Sequence, residues 1–172
     1  RIYNYKNLLT DLDYYFFGSH YHLDEEHKKS IDRFVKENQK ITLFASTFTA
    51  RFGDSRETQN GNISEKSAAA LGALPIEIGY PGSPVGFGWV KDIDKTPFLG
   101  GTIAFPAIQF LLYSGVTKIY LVGCDLGHEP RYSMWKYSWL QLNSFIKENY
   151  PEAEIISINP KGLHGIFKQI RT

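Results

Sequence analysis

Apolar residues along this chain of 172 residues recur at two spacings, one typical of helices and one typical of strands. Apolar positions three and four residues apart predict four helices, over residues 24–39, 62–71, 103–112 and 136–149. Short runs rich in β-branched and aromatic residues predict five strands, over residues 13–18, 40–45, 75–79, 118–122 and 154–158. A helical turn or two is predicted over residues 163–170. Because strands that alternate with helices form parallel sheets, the predicted fold class is α/β, a three-layer arrangement with a mostly parallel sheet and helices on both faces.

One stretch, residues 100–127, contains two candidate elements of a binding site: a helix that starts after glycines and a carboxylate at the end of a strand. A glycine pair precedes its helix, and Gly115 stands where the helix needs a C-terminal stop. The strand over 118–122 is a short apolar run, which is typical of a strand buried on both faces. Asp125 follows that strand at its carboxyl end, the edge at which open α/β sheets bind ligands.

Gly100, Gly101 and Thr102 form the first candidate site. Unpaired backbone N–H groups and the positive end of a helix favour a phosphate or carboxylate, and glycine lets the ligand approach the backbone. The alternative is that Thr102 simply caps the helix after a tight turn. Neither GxGxxG nor GxxxxGK[ST] occurs in the chain, so the glycine pair alone does not specify a nucleotide.

Asp125 and His128 form the second candidate site, in the loop that follows the strand over 118–122. A carboxylate at a strand end can bind a ribose hydroxyl or act as a base, or it can be a turn residue that accepts backbone N–H bonds. His128 is suited to proton transfer near neutral pH, and His164 is the competing histidine. Cys124 is expected to be a small buried residue rather than a nucleophile, since no base is evident beside it.

Two further loops contain candidate ligand contacts. Ser19 and His20 follow the first predicted strand, and they are expected either to contact a ligand or to belong to a solvated loop. His20, His22 and His27 lie close together, but no second ligand group of matching spacing follows, so no metal site is predicted. The proline- and glycine-rich stretch over 80–99 is expected to be either an ordered flap near the site or a surface excursion packed by its own aromatic residues.

Composition excludes several classes of function. The net charge of +1 makes no electrostatic case for nucleic acid, and no apolar run approaches the ~20 residues that a membrane helix needs. One cysteine excludes an internal disulfide and a zinc cluster, which fits a cytoplasmic setting. Aromatic residues make up 15% of the chain, and they are expected either to pack in the core or to form stacking surfaces for a sugar or a base.

The length of the chain predicts a single domain over residues 1–172, and the absence of an initial Met suggests a piece of a longer protein. The composition does not predict an oligomeric state.

Residues 101–104 and 115–125 resemble the core segment of the bacterial Rossmann-like sialyltransferases. They also resemble a related uncharacterised group that includes the archaeal hydroxymethylpterin diphosphokinase. In the sialyltransferases a Thr/Ser-Gly pair opens the equivalent helix, and the following strand ends in Gly-x-Asp, which corresponds here to Gly123 and Asp125. The similarity covers residues 98–170, where a helix ending in Tyr, a strand and an Asn-Pro pair before a short helix also match.

The resemblance implies a Rossmann-like fold and a CMP-linked sugar donor whose phosphate binds near Gly101 and Thr102. It also implies a histidine base after Gly-x-Asp and nearby aromatic residues around the leaving phosphate, for which His128 and Tyr132 are the nearest candidates. The nucleotide-sugar is then a substrate, the partner is a carbohydrate acceptor, and neither a cofactor nor a metal is expected. The family's N-terminal Gly-Asn-Gly-Pro-Ser loop has no match, so we expect it upstream of Arg1 or lost.

Three hypotheses follow for the function. The first is a glycosyltransferase domain of surface polysaccharide synthesis that uses a nucleotide-activated, sialic-acid-like sugar. The second is a pterin or nucleotide diphosphokinase, which needs ATP, Mg²⁺ and therefore further carboxylates around Asp125. The third is a Rossmann-like binding module without catalysis, which would bind a nucleotide without turning it over.

Overall fold

The structure is a computed structural model. It describes residues 13–17, 26, 29, 33–34, 36–37, 40–47, 65–70, 72–79, 88–93, 98–99, 102–124, 133–158 and 162–171. The strands are β1 (Tyr14–Phe17), β2 (Thr42–Thr47), β3 (Leu74–Gly79), β4 (Phe98–Leu99), β5 (Lys118–Val122), β6 (Glu154–Ile158) and β7 (Lys168–Ile170). The helices are α1 (Glu65–Ala70), α2 (Ala104–Tyr113) and α3 (Ser133–Asn149). Residues 26, 29, 33, 34, 36 and 37 are helical as well.

The α/β fold class is confirmed, because the strands of both sheets are parallel and helices connect several of them. One sheet has the strand order β1-β2-β3-β4 and the other the order β5-β6-β7. This arrangement is consistent with a Rossmann-like fold. The chain divides into two compact units, the first comprising Arg1–Phe87 and Pro97–Pro106 and the second comprising Gly88–Thr96 and Ala107–Thr172.

The first unit contains a small apolar cluster beside its four-stranded sheet. Leu43, Ala45, Ala68 and Ala73 are buried together, and Tyr15 and Ile41 pack against them. The Tyr15 ring also lies 5.8 Å from that of Phe34, a buried residue of the predicted helix over 24–39. The predicted buried face of that helix is therefore confirmed at Phe34, while its other members, Leu23, His27, Ile31 and Val35, lie outside the described residues.

The second unit contains a core formed by the apolar faces of its helices and sheet. The indole of Trp139 meets the ring of Phe167 edge-on at 5.9 Å, which joins α3 to the segment before β7. The fully or nearly fully buried apolar residues of this unit are Ile108, Leu112, Ile119, Leu121, Trp139, Leu142, Ile146, Ile155, Ile156, Leu163, Ile166 and Phe167.

The predicted stop at Gly115 is confirmed, and Gly72 ends α1 in the same hydrogen-bonded motif. Gly72 and Gly115 adopt left-handed conformations, with φ of 68° and 85°. The amide of Gly115 donates to the carbonyl of Leu112 at 3.0 Å, and that of Val116 donates to Leu111 at 3.0 Å. These two bonds satisfy carbonyls that the end of α2 would otherwise leave unpaired.

Three predictions of local structure are corrected. β5 is not buried on both faces: Ile119 and Leu121 are buried, whereas Tyr120 is 52% and Val122 72% exposed. Residues 168–170 form β7 instead of continuing a helical turn, because their backbone pairs with β6. The stretch over 80–99 is not loop throughout, since β4 pairs with the end of β3.

Candidate functional site

The sequence-predicted site residues fall into two groups, one in each compact unit. In the first unit, residues 18–20 follow β1 and residues 100–102 follow β4. The four strands are parallel, and β1 and β4 are the outer strands of the sheet. The end of β1 at Phe17 is level with Pro75, whereas the end of β4 at Leu99 is level with Gly79. The two strand ends are therefore separated both across the sheet and along the strands.

Thr102 is the one residue of the first group that the structure describes. Its Oγ1 accepts a hydrogen bond from the amide of Ala104 at 3.4 Å, and its carbonyl accepts one from Phe105 at 3.2 Å. Pro106 follows and has no N–H. Thr102 therefore caps α2, as the alternative interpretation expected. Ser19, His20, Gly100 and Gly101 lie outside the described residues.

The capping geometry leaves Thr102 able to bind an anion as well. Its bond from Ala104 is long for an N–H···O contact, so little free energy holds it in place. A hydroxyl has one hydrogen to donate and two lone pairs to accept with. Thr102 can accept from Ala104 and still donate its own hydrogen to a phosphate or carboxylate oxygen at the positive end of the helix.

The second group of candidate residues lies in one connection, between β5 and α3. β5 and β6 pair in parallel over their full lengths, from Lys118 opposite Glu154 to Val122 opposite Ile158, and α3 is the crossover between them. Gly123 follows β5 with a φ of 69°, a left-handed conformation that ends the extended strand. The connection starts there, at the carboxyl edge of the sheet.

The remaining members of this group follow Gly123 in the chain. Cys124 was expected to be a small buried residue; it is half-buried and makes contacts of its own. Asp125, His128 and Tyr132 lie outside the described residues, and their roles stay predictions. The competing histidine, His164, is exposed in the turn between β6 and β7.

Three charged side chains of the second unit meet at the opposite, amino edge of its sheet. Glu154 begins β6, and its carboxylate lies 2.6 Å from Lys168 Nζ at the start of β7 and 3.7 Å from Lys118 Nζ at the start of β5. The hydrogen bond from Lys168 lowers the pKa of Glu154 and raises that of Lys168. These groups join the amino ends of three strands, which is a structural role and not part of the candidate site.

Sequence patterns did not single out Gln109, which the structure shows to be buried and hydrogen-bonded. The apolar face of α2 was expected at Ile103, Ala107, Ile108, Leu111 and Leu112. Gln109 is nevertheless only 1% exposed, and its Oε1 accepts a hydrogen bond from the amide of Val90 at 2.8 Å. Its position one residue after Ile108 was the available signal, because a polar residue beside an apolar stripe can be buried when it has a partner.

Among the residues that the structure describes, no group of three His, Cys, Asp or Glu side chains is placed to hold a metal ion. The same part of the chain contains no helix of the length and apolar character needed to cross a bilayer. Comparison with protein-family models, with curated proteins and with solved structures gives no match.

Proposed function

We propose that this chain is a glycosyltransferase-like domain that binds a nucleotide-activated sugar and transfers the sugar to a carbohydrate acceptor. One observation carries the proposal. β5 ends at the carboxyl edge of a parallel sheet, and the connection that contains Asp125 and His128 begins there, at the left-handed Gly123. That edge is where α/β proteins bind ligands. We further propose a CMP-linked, sialic-acid-like donor used in surface polysaccharide synthesis in the bacterial cytoplasm, an extension that depends on the resemblance of residues 98–170.

Each candidate residue has a role that its chemistry suits. His128 takes the proton from the acceptor hydroxyl as that oxygen attacks the anomeric carbon, because an imidazole titrates near neutral pH. The bond from the anomeric carbon to the phosphate oxygen breaks in the same step, and the nucleotide leaves as an anion. Tyr132 stabilises the developing charge with its hydroxyl, and Asp125 accepts from a ribose hydroxyl.

Thr102 and the amides at the start of α2 are proposed to bind an anionic group of the donor. The hydroxyl has a hydrogen to donate, and its weak cap on Ala104 costs little to rearrange. Gly100 and Gly101, which precede it in the chain, would permit close approach of the ligand to the backbone. Ser19 and His20, which follow β1 in the chain, are proposed as further contacts.

The proposal is tested by turnover of CMP-activated sugars with three proteins in parallel. His128→Ala is expected to reduce transfer and donor hydrolysis by roughly 10²- to 10⁴-fold, the usual contribution of a general base. His164→Ala is the matched control, since His164 is an exposed histidine of the same unit, and it should leave turnover unchanged. Equal loss in both variants would contradict the role of His128.

The same experiment separates the alternative functions. Nucleotide binding without turnover, unaffected by His128→Ala, would indicate a binding module instead of an enzyme. Turnover that requires ATP and Mg²⁺ would indicate the diphosphokinase. Sugar transfer that depends on His128 and needs no added metal would support the proposal.

A further inference from the structure

Gln109 is a polar side chain in the middle of an otherwise apolar helix. The sequence of α2 is AFPAIQFLLY, and its buried side chains include Phe105, Ile108 and Leu112 as well as Gln109. Burying an amide without a partner is unfavourable, whereas Leu or Met would fill a similar volume without a polar atom. Gln109 therefore requires an explanation that packing alone does not provide.

One partner of Gln109 is a backbone amide far away in sequence. Val90 N donates to Gln109 Oε1 at 2.8 Å, across 19 residues of sequence and within the second compact unit. The distance is that of a well-formed N–H···O bond. Val90 belongs to no strand, so this side chain supplies the acceptor that a neighbouring strand would otherwise supply.

The segment that Gln109 contacts lies at the surface of the unit. We use the term strap for residues 88–93, the described part of the long connection between β3 and β4. Lys91 is exposed, and the other five residues are half-buried, so none of them belongs to the core. Trp89 and Asp92 make contacts of their own, which gives the strap more than one attachment. A segment with little buried surface opens at a lower free energy than the core around it.

We propose that the strap opens as a local unit while α2 stays folded, and that Gln109 is the latch that holds it closed. The side chain is buried in the core and the amide it binds is on the surface segment, so this hydrogen bond connects the strap to α2 in addition to the contacts of Trp89 and Asp92. Losing it leaves the donor on the strap without its acceptor, and the population of the open strap rises by roughly three- to tenfold. This inference is independent of the proposed function.

Native-state trypsin digestion tests the latch, because cleavage of a folded protein follows the population of the open form. The bond after Lys91 reports strap opening, and the bond after Lys147, an exposed residue in the last turn of α3, reports unfolding of the unit. Gln109→Met should speed cleavage after Lys91 by roughly three- to tenfold and leave cleavage after Lys147 unchanged. Gln141→Met, the same substitution at an exposed position of α3, should change neither rate.

Two results would overturn the latch. Equal acceleration of cleavage after Lys91 and after Lys147 would show that Gln109 stabilises the whole unit. An unchanged rate of cleavage after Lys91 would show that Gln109 does not hold the strap closed. Hydrogen exchange of the unmodified protein decides the matter if the Gln109→Met protein fails to fold. The Val90 amide should then exchange more slowly than that of exposed Lys91 but faster than the core amide of Leu112. Exchange at the same rate as Leu112 would exclude local opening.

Discussion

Asn143 connects α3 to the turn that precedes β7, since its Nδ2 donates to the carbonyl of Ile166 at 2.7 Å. Ile166 is buried, so this carbonyl has little access to water once its donor is removed. The bond joins positions 23 residues apart in sequence. It therefore attaches the turn before β7 to α3, in addition to the pairing of β7 with β6.

We expect Asn143→Ala to lower the free energy of unfolding by about 1–3 kcal/mol, because it leaves a buried carbonyl without a donor. The matched control is Asn149→Ala in the same helix. Asn149 Nδ2 donates to the carbonyl of Phe145 at 3.0 Å. Because Phe145 is only four residues away in the same helix, this bond connects no distant segment. Chemical denaturation should give a loss at least twice as large for Asn143 as for Asn149. Equal losses would show that the turn needs no such attachment.

The carboxylate of Glu154 is predicted to stabilise the protein only above a limiting pH. Its hydrogen bond with Lys168 lowers its pKa below the ordinary value of 4.5, so its contribution is complete above about pH 4.5 and is lost as the pH falls through the lowered value. Thermal unfolding midpoints of the wild type and Glu154→Gln should thus differ near neutral pH and converge in acid. A difference that persists in strong acid would contradict the assignment.

The two lysines around Glu154 provide an internal comparison. Lys168 Nζ is 2.6 Å from the carboxylate, whereas Lys118 Nζ is 3.7 Å away, which is too long for a strong hydrogen bond. Lys168→Met should lower the unfolding midpoint more than Lys118→Met, and added salt should reduce both effects because the groups are partly exposed. The reverse order would show that strand pairing, not the ion pair, sets the stability.

Gly115 is predicted to tolerate no other residue without strain. Its φ is 85°, and a Cβ built there would meet no atom within 4 Å, so the cost of Gly115→Ala is conformational and amounts to about 1–2 kcal/mol. Gly88→Ala is the control, since its Cβ also has room and its φ is not in the left-handed region. Denaturation should show a loss for Gly115 and a change under about 1 kcal/mol for Gly88. Equal losses would exclude the conformational explanation.

Ser157 is predicted to be replaceable despite its complete burial. Its side chain is 1% exposed in the central strand β6, and none of the described residues bonds to its hydroxyl. Ser157→Ala should therefore change the free energy of unfolding by less than about 0.5 kcal/mol or increase it. A loss above about 1 kcal/mol in denaturant titration would reveal a partner for the hydroxyl in the rest of the chain.

The fold was predictable where local sequence alone decides the structure. The bounds of β5 and β6 match the predicted strands residue for residue, because each is a short β-rich run flanked by turn residues. Gly115 ends its helix as predicted. β7 was missed because three residues carry little pattern, and pairing with β6 decides their conformation.

The candidate site was predictable only as positions along the chain. The sequence pattern places Asp125 and His128 after β5 because a strand's end is visible in its composition. The capping by Thr102 was an open alternative, since the choice between cap and ligand depends on where a hydroxyl points. Gln109 was missed because its burial depends on Val90, a partner 19 residues away that no local pattern specifies.

The most direct test of the proposed function is a thermal-shift titration with CMP at millimolar concentration, using the wild type and Asp125→Asn. A ligand that binds only the folded state at 100 times its Kd adds about 2.7 kcal/mol of stability. We predict a concentration-dependent rise in the unfolding midpoint that Asp125→Asn reduces, while Glu152→Gln, which alters an exposed carboxylate at the far edge of the sheet, leaves it intact. No shift with CMP or any other nucleotide would contradict the account.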